Sequence, residues 1–247
     1  MVTKRLDILY CGSLIVDKGG VLTYHVDNGK IVEMPVLTYL IRTEHGNILF
    51  DSGINHDDCP SLLALGKNLK VKEEDCLLNR LRDVGVAPDD INLVVQSHLH
   101  WDHSGMLGYF PNAEIIIQRE EYGYAMNPPT VAEAYYRCHY YDRPDLNWRI
   151  IDGDETLMPG ITAILTPGHT PGHQSLLADL QESGTIILSG DCASTHENIE
   201  RELIPGLFVN QIEALHSLKK LKSLAIMKNA HIFSTHEWPT PIKDTTS

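Results

Sequence analysis

No CxxC pair occurs in the chain, and its five cysteines, Cys11, Cys59, Cys76, Cys138 and Cys192, are scattered and odd in number. That pattern argues against a disulfide framework. It predicts reduced thiols and a cytoplasmic setting. Long apolar runs are also missing. None approaches the roughly 18–20 residues of a membrane span. Basic residues are scarce: 20 Lys and Arg stand against 33 Asp and Glu, a formal net charge of -13. That balance offers no footprint for nucleic acid or anionic lipid. There is no low-complexity segment, no short-period repeat and no Gly-, Ser- or Pro-rich linker. The 247 residues therefore read as one domain spanning 1–247. "MVTKRLDILYCGSLIV" lacks the continuous apolar core of a secretory signal, because Asp7 and Cys11-Gly12-Ser13 interrupt it. It reads as a first strand.

What is present is alternation of strands and helices with hairpins mixed in. Val36–Thr43 and Asn47–Asp51 read as a hairpin around Glu44-His45-Gly46. Residues 54–71 read as a loop, and 73–85 as an amphipathic helix with Cys76, Leu77, Leu81 and Val84 inward and Gly85 as its stop. Further strands are expected at 91–96, 113–118, 161–165, 175–179, 185–191 and 231–238, the last two ending on or near Asp191 and His236. Helices are expected at 119–126, within the aromatic insert 127–148, and at 210–225. The last should present Ile212, Leu215, Leu218, Leu221 and Leu224 on one side. The pattern predicts mixed sheets with helices outside.

Histidine is the residue in excess, 13 in all. "SHLHWDHSG" places His98, His100, Asp102 and His103 within six positions, directly after an apolar strand. A bare HxH pair is usually chance or a solvated loop. H-x-H-x-D-H is far more restrictive. His169, Asp191 and His236 lie at or after three later strands, and loops at one edge of an α/β fold converge on one place. Five histidines and two carboxylates suit a borderline divalent metal. They are too many for one tetrahedral ion and fit two ions sharing a carboxylate and a bridging hydroxide. The absence of cysteine from the set points to a catalytic site rather than a structural one.

At these residues the chain resembles the metallo-β-lactamase superfamily, through "HLHWDH", "TPGHTPGH", "LSGD", "STHEW" and the early "LFDSG". Within it, "VVQSHLHWDHSG", "FPNAEIIIQREEY" and "TPGHTPGHQSLL" resemble the N-acyl homoserine lactonases. The resemblance spans essentially the whole chain. It implies an αββα sandwich of two mixed sheets with outer helices, and a dinuclear hydrolase that opens acyl homoserine lactones. His98, His100 and His169 would hold one metal, Asp102, His103 and His236 the other, and Asp191 would bridge. Zinc comes first, then iron, cobalt or manganese. Asp102 would also carry a proton to the leaving alkoxide. Asp51 would orient a ligand histidine, and His173 would stand behind the ligands. Trp101, Leu62 and Leu65 are candidates for the acyl pocket. The expected partner is a small acyl lactone, with no nucleic acid and no membrane, and a homodimer is left open.

One departure stands out. These lactonases usually carry a tyrosine three residues after the bridging aspartate, and here Ser194 occupies that place. Loss of an oxyanion donor commonly costs about 2.7–4 kcal/mol. His196 or a tyrosine from 122–141 could replace it. The departure keeps open a hydrolase of another lactone, an ester or a thioester, and beyond that a catalytically silent binding relative.

Overall fold

The computed structural model describes residues 5–181 and 184–238. The first four residues of the expected opening strand, and the ends of the expected 1–247 domain, lie outside them. Among the described residues twelve strands are formed: β1 (Arg5–Asp17), β2 (Ile31–Thr43), β3 (Gly46–Phe50), β4 (Leu69–Lys70), β5 (Ile91–Val95), β6 (Glu114–Gln118), β7 (Asn147–Ile151), β8 (Glu155–Met158), β9 (Ile161–Leu165), β10 (Gln174–Leu180), β11 (Gly184–Leu188) and β12 (His231–Phe233). The helices are α1 (Lys18–Val21), α2 (Cys59–Ala64), α3 (Leu77–Asp83), α4 (Trp101–Ser104), α5 (Arg119–Met126), α6 (His196–Arg201) and α7 (Gln211–Lys228). Among the described residues no helix is long and apolar enough to cross a membrane.

Two mixed sheets result, with strand orders β4-β1-β2-β3-β5-β6-β7 and β12-β11-β10-β9-β8. The period-two rule for side chains explains how they stack. From β2, Leu37, Tyr39 and Ile41 enter the core between the sheets, where Phe50, Ile116, Leu176 and Leu188 meet them. The alternate residues Val36 and Leu40 face the other way, into a second core with Leu62, Leu77 and Leu81 of α2 and α3. On the far sheet, Ile164 and Ile187 pack against Leu218 and Leu221 of α7. Helix, sheet, sheet, helix is the consequence, the αββα sandwich expected from the resemblance.

Several expectations needed correction. Residues 54–71 are not all loop. They hold a 3₁₀ turn (His56–Asp58), α2 and β4, which pairs with β1 through Leu14 and Leu69. The insert 127–148 forms two 3₁₀ turns, Glu133–Tyr135 and Cys138–Tyr140, instead of an α-helix. Strand β11 stops at Leu188, so Asp191 sits in a 3₁₀ turn (Gly190–Cys192), and β12 stops three residues before His236. Helix α7 buries Ala214, Ser217, Leu218 and Leu221, while Ile212 is exposed. Successive steps of three residues drift about 60° around a helix, so a stripe spaced only by threes cannot stay on one face.

Strands β3, β5 and β6 run parallel, as do β11 and β12. Strand β9 shares that direction with β11, because both are antiparallel to β10. Their C-terminal ends therefore gather at one edge of each sheet. Buried polar stitches join the two sheets at this edge. The Gln174 amide nitrogen donates to the carbonyls of Gln96 and Ile116, the Gln174 backbone N–H to Ser97, and the Tyr39 hydroxyl to Ser234 at 2.6 Å. Burying such groups costs little only because each finds a partner.

Candidate metal centre

Asp51 follows β3 in the left-handed region, at φ 65°. Few residues other than glycine settle there, though Asp and Asn tolerate it. The turn aims its carboxylate at the loop after β5. It accepts the Ser97 backbone N–H at 2.7 Å, the Ser97 hydroxyl at 2.8 Å and the His103 Nδ1–H at 2.8 Å. Ser97 in turn accepts from His98 Nδ1 at 2.9 Å. Gly105 closes the motif where the chains touch: a Cβ there would lie 2.2 Å from the backbone nitrogen of Asn55.

Four of the five histidines have one ring nitrogen already committed. His98 donates to Ser97, His103 to Asp51, His169 to the Leu207 carbonyl at 2.8 Å and His236 to the Pro35 carbonyl at 2.9 Å. Their Nε2 atoms thus carry lone pairs, and these point inward. His169 Nε2 lies 3.2 Å from His98 Nε2 and 3.1 Å from His100 Nδ1. On the other side, Asp102 Oδ2 lies 3.8 Å from His103 Nε2 and 4.0 Å from His236 Nε2. Asp191 stands between the groups. Its Oδ1 is 3.1 Å from His236 Nε2 and 3.5 Å from His103 Nε2, and its Oδ2 is 3.4 Å from His169 Nε2. The donor atoms form the sets His98/His100/His169, His98/His103/Asp191 and Asp102/His103/His236.

Converging lone pairs repel unless a cation lies among them. His103 Nε2 and Asp191 Oδ1 are buried without a hydrogen-bond partner, an arrangement natural proteins rarely leave uncompensated. The residues present therefore fit a divalent metal. The protonation equilibria agree. Burial, and then the neighbouring histidines, hold His98 and His100 well below the ordinary histidine value. Burial also pulls on His103, but Asp191, Asp102 and Asp51 outweigh it and raise it to about 10. Without a metal, a proton therefore occupies the His103 Nε2 position that a cation would otherwise take. Burial works against Asp191's charge, yet His236, His103 and His169 hold its carboxyl well below the carboxylate range.

His173 sits behind the cluster. Its Nε2 accepts the Asp191 backbone N–H at 2.9 Å, and its Nδ1 is 3.1 Å from the Thr166 carbonyl. Gly190 makes room for it, since a Cβ there would lie 2.6 Å from His173 Nε2. Cys192 is buried, its thiol pushed up by burial and by Asp191. Glu121 carries no signal in the sequence beyond its place in "QREEY". It is fully buried on α5, and its Oε1 accepts the Leu99 N–H at 3.0 Å and the Tyr136 hydroxyl at 3.2 Å. It therefore braces the segment between His98 and His100.

A cavity of about 280 Å³ opens onto the cluster, with His100, Asp102, His169, Asp191 and His236 in its lining. Leu14, Val16, Val21, Met34 and Leu207 give it an apolar side, and Trp101, Lys67 and Tyr135 also line it. Leu62 and Leu65 do not. Leu62 is fully buried in the helix-side core and Leu65 is exposed to solvent. Ser194 is buried, is absent from the lining, and accepts the His236 N–H on its carbonyl. His196 is exposed and pairs with Glu200 at 3.2 Å. Tyr135 is the tyrosine that reaches the cavity, its ring 5.3 Å from that of His100. The insert carrying it is clamped onto α2: Asp58 accepts from Arg137 at 3.1 Å and from the Tyr140 hydroxyl at 2.5 Å.

Residues 31–230 match the family model of the metallo-beta-lactamase superfamily. The chain belongs to that superfamily. Among metallo-β-lactamase relatives, it is 36% identical to an N-acyl homoserine lactonase of Bacillus cereus, over 96% of this chain and 94% of that protein. It is 32% identical to the N-acyl homoserine lactonase AttM of Azorhizobium caulinodans, with 97% of each covered. The fold superposes with a TM-score of 0.86 on N-acyl homoserine lactone hydrolase carrying its product, N-hexanoyl-L-homoserine, at the catalytic metal centre. That protein is 35% identical, with 96% of this chain and 94% of that one covered.

Proposed function

We propose that this metallo-β-lactamase relative is a metal-dependent hydrolase that opens the lactone ring of N-acyl homoserine lactones at a centre of two divalent ions. The observation that carries the reading is the position of Asp191, whose two oxygens each approach a different histidine group. His98, His100 and His169 would hold one ion, and Asp102, His103 and His236 the other. The donors, nitrogen and oxygen without thiolate, suit zinc first. The reading takes 1–247 as one domain working in the cytoplasm. The lactonases at 32% to 36% identity support lactones as the substrate class.

When bound, such ions supply a hydroxide near neutral pH and a Lewis acid for an ester carbonyl. The rest falls to the chain's own side chains. Trp101 and the apolar side of the cavity exclude water around the acyl arm. Tyr135 offers its hydroxyl to the substrate carbonyl, the role for which Ser194 is too deeply placed. Asp102, at the cavity lining, would carry a proton to the departing ring oxygen. Glu121 and Asp51 keep the histidines aimed.

Hydrolysis of another lactone, an ester or a thioester is the second reading, favoured by the serine at position 194. Metal-reconstituted protein assayed with a pH indicator against homoserine lactones, aliphatic lactones and S-lactoylglutathione separates the two. Two equivalents of metal per chain and preferred opening of homoserine lactones support the proposal. Fewer than two, with no lactone opened, would remove it.

A further inference from the structure

The cavity lining holds three aspartates, Asp17, Asp102 and Asp191, and one cation, Lys67. Two of the aspartates belong to the metal cluster. Asp17 is occupied elsewhere, accepting the backbone N–H groups of Gly19, Gly20 and Gly29. Lys67 is half-buried, and its ion-pairing capacity is unused: no carboxylate of the described residues lies within salt-bridge distance. Instead, its ammonium sits 4.6 Å from the Tyr135 ring centroid and 6.0 Å from that of Trp101. Two rigid aromatic faces hold the charge in place, and cation–π attraction adds to the hold.

That location matters because of what stands next to it. The Tyr135 ring neighbours both a histidine of the cluster, His100 at 5.3 Å between centroids, and the Lys67 ammonium at 4.6 Å. Burial draws Lys67's pKa below the ordinary lysine value, and the charge on Asp102 resists that. An ammonium stripped of part of its water and given no counter-ion is electrostatically incomplete. Lys67, Trp101, Tyr135 and the apolar residues line the same cavity as the cluster, so an acyl arm leaving a carbonyl there enters a space that Lys67 borders.

We propose that Lys67 is a specificity-determining residue that selects short acyl arms ending in a carboxylate. The favoured substrates are thus half-amides of a dicarboxylic acid on the lactone, in preference to plain alkanoyl ones. The inference rests on the lactonase reading for the reacting end, but the arm is read by Lys67 alone. A charge-assisted hydrogen bond to a partly desolvated ammonium predicts about a tenfold preference in KM.

The test compares N-succinyl and N-butyryl homoserine lactones, which share a four-carbon arm and differ in its end. The metal-loaded wild type, Lys67→Met and Lys67→Glu are assayed, with melting curves to verify folding. The wild type should show a KM about tenfold lower for the succinyl substrate, with kcat little different, and added salt should shrink the gap. Lys67→Met should abolish the ratio and Lys67→Glu should invert it. A ratio unchanged in Lys67→Met, or a wild type that prefers butyryl, overturns the proposal. Calorimetric titration with the ring-opened N-succinyl and N-butyryl homoserines reads the arm without turnover. If no lactone is opened but succinyl binding still depends on Lys67, the lactonase reading fails and this one stands. If binding is indifferent to Lys67, this one fails whatever the turnover.

Discussion

Asp51 and His103, 52 positions apart in sequence, are joined by a 2.8 Å hydrogen bond between Oδ2 and Nδ1. The same carboxylate holds Ser97, which holds His98. One aspartate thus fixes the tautomer of two histidines, one in each of the two outer donor sets. A histidine whose Nδ1–H is committed presents a more basic Nε2.

Replacement Asp51→Asn isolates that contribution. Asparagine accepts the left-handed backbone that Asp51 adopts, so the turn survives. It offers one acceptor oxygen where the carboxylate offered two. Metal affinity should fall 10- to 100-fold, in line with other partners that orient metal-bound histidines. Chelator competition measures it. Unchanged affinity with intact folding would show that the histidines are aimed by packing alone.

Glu121 tests the same idea through the backbone. In Glu121→Ala the buried Leu99 N–H and Tyr136 hydroxyl lose their acceptor, a cost of about 1–3 kcal/mol. For a chain of this size each kcal/mol shifts Tm by about 2–4 °C. Glu121→Gln keeps an acceptor oxygen and should recover most of the loss. If the two variants melt alike, the carboxylate is not bracing Leu99.

Tyr135 and Ser194 compete for one role, and paired variants decide between them. Tyr135→Phe should lower kcat about 10- to 100-fold, somewhat below the usual cost of a lost oxyanion donor because the metals share the load. Ser194→Ala should change kcat little, since Ser194 lies outside the cavity lining. The reverse ranking would return the role to position 194.

How much of this was legible beforehand follows from the physics of each signal. The histidine and aspartate cluster was readable because ligand chemistry restricts residue type, and a short strand-to-helix motif keeps four of its members close in sequence. Strands such as 113–118 were readable because a strand covered on both faces is apolar throughout. The cavity was not. Lys67 and Tyr135 come from short turns without periodicity, brought together by α2, β4 and the Asp58–Arg137 clamp. Leu62 and Leu65 misled because a leucine in a short segment carries no record of which way it faces. Here one went to the core and the other to solvent.

Removing the metal should expose what it holds together. A ligand that binds only the folded state stabilises it in proportion to the logarithm of its excess over Kd. Exhaustive chelation should lower Tm, and readdition of zinc should restore it. Histidines must be neutral to bind, so apparent affinity should fall as pH drops. A Tm indifferent to chelation would indicate a site without resident metal.

His173 contributes a pH dependence of known sign to the metal-free protein. Burial, and then the neighbouring His169, lower its pKa from 6.5 to about 3. The unfolded chain therefore binds a proton at this residue that the folded chain refuses. Its contribution to stability is intact above pH 6.5, declines as pH falls below it, and is fully spent near 3. Between pH 7.5 and 5.5 one such group removes about 1.4 kcal/mol. His98, His100 and His169 are lowered too and add to the loss, whereas His103 and His236 are raised and oppose it, so the difference between wild type and variant isolates His173. His173→Gln cannot titrate. It should be less stable than wild type at pH 7.5, because the Asp191 N–H contact is disturbed. It should also lose about 1.4 kcal/mol less on acidification to pH 5.5. Urea midpoints of chelated protein at the two pH values measure both effects. Equal losses in variant and wild type would mean that His173 takes up its proton without unfolding, and that the buried ring is less shielded than its hydrogen bonds to Thr166 and Asp191 imply.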